Sequence, residues 1–233
     1  MASQNQIAYD ILFNLEGTSR ISDDSEIDIE QIYFKIDSTR AFLIRQDQSK
    51  GRSLSDNIIQ TLPCLEVQQV SASECCNINS SCTIMRTKLR IPRPIELYQK
   101  DLITRVSGTN ILSSSWNYIP YAQVEYSGLS KWNKNSTKWF LKDGYIYIIN
   151  PPNLTTITVS GVFERPSDLA TYKTCSNQAC YSPESEYPIS AHMLPTLKQL
   201  ILEDLMREKQ MPSDQEGNES GKVQNKLSTW KSK

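Results

Sequence analysis

Lys138-Trp139-Phe140-Leu141-Lys142-Asp143-Gly144-Tyr145-Ile146-Tyr147-Ile148-Ile149 reads as two β-strands joined by a two-residue turn. Asp-Gly supplies the positive φ angles that such a turn requires, and the residues on either side are the aromatic and β-branched types that suit a half-buried pleated surface. Beyond Pro151-Pro152-Asn153 a third strand is expected from Thr155 to Phe163, extending the meander. It ends at Glu164-Arg165-Pro166, where Pro166 has no N–H to give to a ladder. Trp116, Tyr118, Tyr121, Tyr126, Trp132 and Trp139 crowd into or just before this sheet. Aromatics at that density can stack sugars or bases, but packing in a core or an interface is their commoner use.

Upstream, from Pro63, short runs alternate with period two. Leu65 and Val67 alternate with Glu66 and Gln68, and Met85 and Leu89 with Arg86, Lys88 and Arg90. The basic face of the second run could track a phosphate backbone. Charges on the outside of a strand more often mark a solvated edge that discourages aggregation, and an edge is the reading adopted.

Both ends of the chain turn helical. Ile7, Ile11, Leu12 and Leu15 recur at helical spacing before Gly17, and Ser22-Asp23-Asp24-Ser25-Glu26 supplies cap residues for a long helix running to Ser49. That helix has two apolar faces. Ile29, Ile32, Tyr33, Ile36 and Leu43 share one, whereas Ile27, Phe34 and Ala41 fall nearly opposite. Two apolar faces imply burial on both sides, inside the domain or against another copy. Arg40 sits within the first face, where its charge needs a carboxylate or a helix end, from this chain or from a neighbour. After a polar, Ser-rich loop from Thr171 to Pro188, Leu194, Leu197, Ile201 and Leu205 form one stripe of a helix starting near His192. Past Met211-Pro212 the chain becomes polar and aperiodic, and Trp230 within it is an exposed terminal residue or an anchor for a partner.

These patterns predict an α+β fold in which N- and C-terminal helices form a helical body and an antiparallel β domain is inserted between them. The expected divisions are 1–62 for the N-terminal helices, 63–170 for the β domain, 171–211 for the loop and closing helix, and 212–233 for the tail. A chain of 233 residues can bury one substantial core, with 25 Lys and Arg against 26 Asp and Glu leaving no global field to recruit nucleic acid or membrane. No apolar run approaches the roughly 20 residues of a membrane span, and the first residues lack a secretion signal, so the chain is expected to be used in a cytoplasm or in a particle assembled there. The Asn-x-Ser/Thr triplets at Asn79, Asn135 and Asn153 are then chance matches.

A reducing compartment argues against a disulfide framework for the six cysteines. Cys75, Cys76, Cys82, Cys175 and Cys180 could surround zinc, with Cys75, Cys82, Cys175 and Cys180 the candidate ligands. The paired C-x-x-C spacing is absent, however, and packed or half-exposed thiols are the expectation. His192 is the single histidine, better placed to cap a helix than to act as a base. There is no phosphate loop, dinucleotide fingerprint, nucleophile elbow or H-E-x-x-H, and eight glycines leave little room for close backbone approach to a cofactor. Carboxylates between Asp23 and Glu30 could in principle serve as acid and base, but capping explains them. The expectation is a chain that is not an enzyme and carries no cofactor.

The order of several stretches resembles the head-to-tail connector proteins of tailed bacteriophages, the adaptor or ring proteins, and most of all those of crAss-like gut phages. The resemblance rests on Ile21-Ser22-Asp23-Asp24-Ser25 leading to Arg40-Ala41-Phe42-Leu43-Ile44-Arg45-Gln46, then Cys64-Leu65-Glu66 and Ser73-Glu74-Cys75-Cys76. It continues through Ile91-Pro92-Arg93-Pro94-Ile95, Gly161-Val162-Phe163-Glu164-Arg165-Pro166, Tyr187-Pro188-Ile189 and Met211-Pro212-Ser213-Asp214, covering nearly the whole chain. It implies a virion protein, assembled in the host bacterial cytoplasm, whose copies form a closed ring of twelve beneath the portal. The implied partners are other copies of the chain, the portal protein, other tail ring proteins, and genomic DNA passing through the lumen without sequence-specific binding, with no membrane. Interface candidates are Ile27, Phe34, Arg40 and Ala41 on the two-faced helix, Trp132 and Trp139 in the aromatic sheet, and Trp230 in the tail. The competing reading is a carbohydrate- or receptor-binding module of a phage tail built on Trp132 and Trp139.

Overall fold

The computed structural model describes residues 2–16, 27–70, 84–98, 100–110, 112–128 and 135–210. Three helices, α1 (Gln4–Glu16), α2 (Ile29–Ser49) and α3 (Leu194–Gln210), share one apolar core. Ile7, Ile11 and Leu12 of α1, Ile32, Ile36, Leu43 and Ile44 of α2, and Leu197, Ile201 and Leu205 of α3 meet there at the three-and-four spacing of helical stripes. Each such side chain contributes about 1.5–3 kcal/mol on burial, which is what holds helices so far apart in sequence together. Asp28 caps α2, its carboxylate accepting from the Glu30 N–H at 3.3 Å. The expected caps between Ser22 and Glu26 lie outside the described residues, and the helix starts at Ile29 instead of Glu26.

Among the described residues seven strands form one sheet: β1 (Gln60–Gln69), β2 (Ile84–Thr87), β3 (Ile103–Gly108), β4 (Asn117–Tyr118), β5 (Lys138–Lys142), β6 (Tyr145–Ile149) and β7 (Thr156–Gly161). Their order is β3-β7-β1-β2-β6-β5-β4, antiparallel except where β4 meets β5. The β5–β6 hairpin forms as the sequence predicts, with Lys142 opposite Tyr145 and the turn residues Asp143 and Gly144 at φ +52° and +79°.

Two expectations about the sheet are corrected. The strand after the hairpin does not extend the meander: β7 crosses to pair with β1 and β3. The basic strand β2 is not an edge, since it lies between β1 and β6. Arg86 in the strand and Arg90 just beyond it stack on one ring, their guanidinium groups 4.6 Å and 5.6 Å from the centre of Tyr145.

Strand β1 joins the two halves of the sheet. Its first part pairs with β7 and its last three residues with β2, and the register with β7 shifts between Leu62 and Leu65. Pro63, which has no N–H, and Cys64, at φ +77°, occupy that irregularity. One face of the sheet buries Leu62, Leu65, Val106, Trp139, Ile146, Ile148, Ile157 and Val159, and the other buries Ile84, Phe140, Tyr147 and Ile149. Gly161 is required at the end of β7, where a Cβ would lie 2.8 Å from the Leu102 carbonyl oxygen. The adjoining Val162, with Ile95 and Leu102, belongs to the helical core and ties it to the sheet. The fold is α+β.

Candidate functional site

Helix α2 presents different chemistry on its two sides. The inner side is mostly aliphatic but also carries Asp37 and Arg40, both buried. The Arg40 guanidinium donates from Nε to the Pro188 carbonyl at 2.6 Å and from Nη1 to the Phe163 carbonyl at 2.8 Å. Nη2 has no hydrogen-bond partner among the described residues. The Tyr187 ring lies 5.7 Å from the guanidinium carbon. Arg40 was expected to reach a carboxylate or a helix end. It reaches two carbonyls from separate segments after the sheet, and Asp37 one helical turn away supplies the opposing charge.

Asp37 gathers the rest of this polar core. Its Oδ1 accepts from the Tyr187 hydroxyl at 2.8 Å and from Gln4 Nε2 at 3.3 Å, and its Oδ2 from the Ser167 hydroxyl at 3.5 Å. The Tyr181 hydroxyl donates to Gln4 Oε1 at 2.7 Å. Burial raises the Asp37 carboxyl to about 6, against the lowering effects of the Tyr187 hydrogen bond and the Arg40 charge. Burial also raises the Tyr187 phenol well above its ordinary value and lowers the Arg40 guanidinium. The network pins α1, α2, the end of the sheet and the 181–188 segment to one another.

The outer side of α2 carries two exposed aromatic residues. Phe34 is 55% and Phe42 56% exposed, with exposed Ser38 between them. Each step of four residues turns the helix by about 40°, so the three occupy one broad face. The Arg165 guanidinium lies 5.0 Å from the Phe34 ring centre, and Arg45 pairs with Glu164 beside the same face. On α1, Tyr9 and Phe13, one turn apart, are also exposed.

The structure distributes the sequence candidates unevenly. Phe34 is on the surface. Ile27, Arg40 and Ala41 are buried within the chain's own packing, so the second apolar face is not continuous as the sequence suggested. Trp139, expected at a surface, is 4% exposed; its Nε1 donates to the Trp116 carbonyl at 3.2 Å and its ring lies 4.8 Å from that of Tyr118. Burial removes it as a stacking platform. Trp132, Trp230, Cys75 and Cys82 lie outside the described residues. Phe42 was missed, although its fourfold steps from Phe34 through Ser38 were a readable signal.

The cysteine expectation is corrected. Cys175 is bonded to Cys64 in a disulfide, with Cα atoms 5.4 Å apart, and is not a metal ligand. Cys180 is a free, half-buried thiol whose pKa burial raises. Among the described residues no three His, Cys, Asp or Glu side chains converge as a metal site needs.

Ser190, His192 and Asp47 line one cavity of about 370 Å³, which brings the residue types of a hydrolytic triad together. His192 Nε2 is 3.1 Å from Asp47 Oδ2, but the Ser190 hydroxyl is buried without a hydrogen-bond partner among the described residues. A serine hydroxyl is activated through a hydrogen bond to imidazole, and among the described residues none joins Ser190 to His192.

An uncovered aromatic helix face on a body stapled from within has the form of a contact surface. Ring protein 2 of Bacteroides phage crAss001 is 24% identical over 225 residues, covering 92% of this chain and 95% of that relative. The family model described as phage tail ring protein 2 matches residues 6–226, and the chain therefore belongs to the phage tail ring protein 2 family.

Proposed function

We propose that the chain is a non-enzymatic subunit of a closed ring of twelve copies that connects head to tail beneath the portal and extends the DNA channel. The observation that carries the reading is the exposed face of α2, with Phe34 and Phe42 each more than half exposed on a helix otherwise packed from within. Large aromatic groups on a surface mark contact sites, and a ring needs a heterologous contact in which one patch of each copy meets a different patch of the next. Membership of a ring family supports a second copy of the chain as the occupant. Because Ile27, Arg40, Ala41 and Trp139 are internal, the neighbour meets Phe34 and Phe42 in their place.

In this reading residues 1–62 and 171–211 form the body that packs between copies, 63–170 form an inserted β domain directed outward or towards the tail, and 212–233 with Trp230 dock in a groove of the neighbouring portal. Genomic DNA passes without sequence-specific contact, which suits a near-neutral chain with 25 basic and 26 acidic residues. Among the described residues no helix is long and apolar enough to cross a membrane. Assembly takes place in the host cytoplasm, and the finished protein resides in the virion.

Electron cryo-microscopy of the particles tests the placement. Density for this chain in a closed ring between portal and tail is expected. Density on fibres would favour a receptor-binding module, for which exposed Tyr118, Tyr121 and Tyr126 offer an aromatic surface.

A further inference from the structure

The segment between β7 and α3 contains two stretches of opposite character. At its far end Tyr187 and Pro188 enter the polar core, where they bond Asp37 and Arg40. At its near end a small hairpin projects, with Lys173 bridged to Ala179, the Thr174 N–H donating to the Gln178 carbonyl at 2.7 Å and Asn177 turning the chain at φ +63°. Cys175 lies at the tip of this hairpin and is exposed. Its partner Cys64 lies in the irregular stretch of β1, 111 residues earlier.

We propose that Cys64 and Cys175 form a redox latch, open as two thiols while the chain is made and assembled in a reducing cytoplasm and closed as a disulfide in the released particle. The second half rests on the reading of the chain as a virion subunit; the chemistry of the pair does not. The exposed sulfur of Cys175 is within reach of small thiols and disulfides, unlike that of a core cross-link. The oxidant is a low-molecular-weight disulfide. The thiolate of Cys175 attacks one of its sulfurs and expels the first small thiolate. The thiolate of Cys64 then attacks the Cys175 sulfur of the mixed disulfide and expels the second. The protons lost by the two cysteines end on the two released thiols, so the protein is oxidised and the small disulfide reduced by two electrons. Cys180, at the base of the hairpin, is half-buried with a raised thiol pKa and therefore competes poorly as a nucleophile. Closure fastens the hairpin to the sheet and, through the same segment, restrains Tyr187 and Pro188 against Asp37 and Arg40.

Two measurements separate the chemistry from the setting. Purified full-length chain is equilibrated with oxidised or reduced glutathione, alkylated, and treated briefly with trypsin, which can cut after exposed Lys173. The latch predicts a Cys64–Cys175 linked peptide only under oxidised glutathione, with cleavage after Lys173 at least about tenfold faster in the reduced protein because the freed hairpin opens locally. Cys175→Ser should cleave at the reduced rate in both buffers, and Cys180→Ser should behave as the unsubstituted chain. Equal cleavage in the two buffers, or a link to Cys180, overturns the latch. Alkylation in intact infected cells and in released particles then tests the timing: free thiols in cells and the linked peptide in particles are expected, and the same state in both overturns it.

Discussion

The Tyr187 hydroxyl donates to Asp37 Oδ1 at 2.8 Å, and the next residue, Pro188, gives its carbonyl to Arg40 at 2.6 Å. Two consecutive residues of a segment that is neither helix nor strand thus each bond one of the two ionisable groups buried on the inner side of α2.

The pH dependence follows from Asp37. Its carboxyl is raised from 3.8 to about 6 in the folded chain, so the folded state binds the proton more tightly than the unfolded state. The stability this confers is fully present below about pH 4 and is lost as the pH rises to about 6, an effect on the order of 2–3 kcal/mol. In Asp37→Asn this loss disappears. The difference in unfolding free energy between the two proteins, followed by urea titration from pH 4 to pH 7, should change across that window and be flat above it. A difference independent of pH contradicts the assignment.

Arg40→Ala should destabilise the chain by about 3–5 kcal/mol, because it leaves two buried carbonyls without donors and Asp37 without its opposing charge. Arg40→Lys should recover only part, since an ammonium has no planar fork with which to span the carbonyls of Phe163 and Pro188. Urea midpoints for the two variants check the order. A lysine variant as stable as the original would show that the fork is not used.

Trp139→Ala should cost about 3–5 kcal/mol of stability, as expected for deleting a large buried aromatic side chain. Tyr126→Ala, at a position 64% exposed, should change stability by no more than about 0.5 kcal/mol. Thermal unfolding of both variants distinguishes a core tryptophan from a surface platform.

What could be read in the sequence was local. Asp143-Gly144 predicts its hairpin because turn and flanking strands are contiguous, and the stripe from Leu194 to Leu205 predicts α3 for the same reason. The pairing of β7 with β1 and β3 depends on contacts between residues about 50 to 100 apart, for which alternation gives no partner. The basic residues of β2 looked like an edge because Tyr145, whose ring receives Arg86 and Arg90, is remote in sequence. Arg40 was recognisable as needing a partner, but backbone carbonyls leave no mark in a sequence. The link between Cys64 and Cys175 leaves no mark in the sequence, because a reducing compartment bears on where the chain is made and not on which residues the fold brings together.

The central claim is that copies assemble through the outer face of α2, and the double substitution Phe34→Asp and Phe42→Asp tests it most directly. Both side chains are more than half exposed, so the monomer should keep its circular dichroism and its unfolding midpoint. Ring formation with portal and tail components, followed by negative-stain microscopy and sedimentation, should be lost, since two carboxylates would be buried unpaired at each contact. Rings forming as readily as with the unsubstituted chain would contradict the account and place the contact between copies elsewhere.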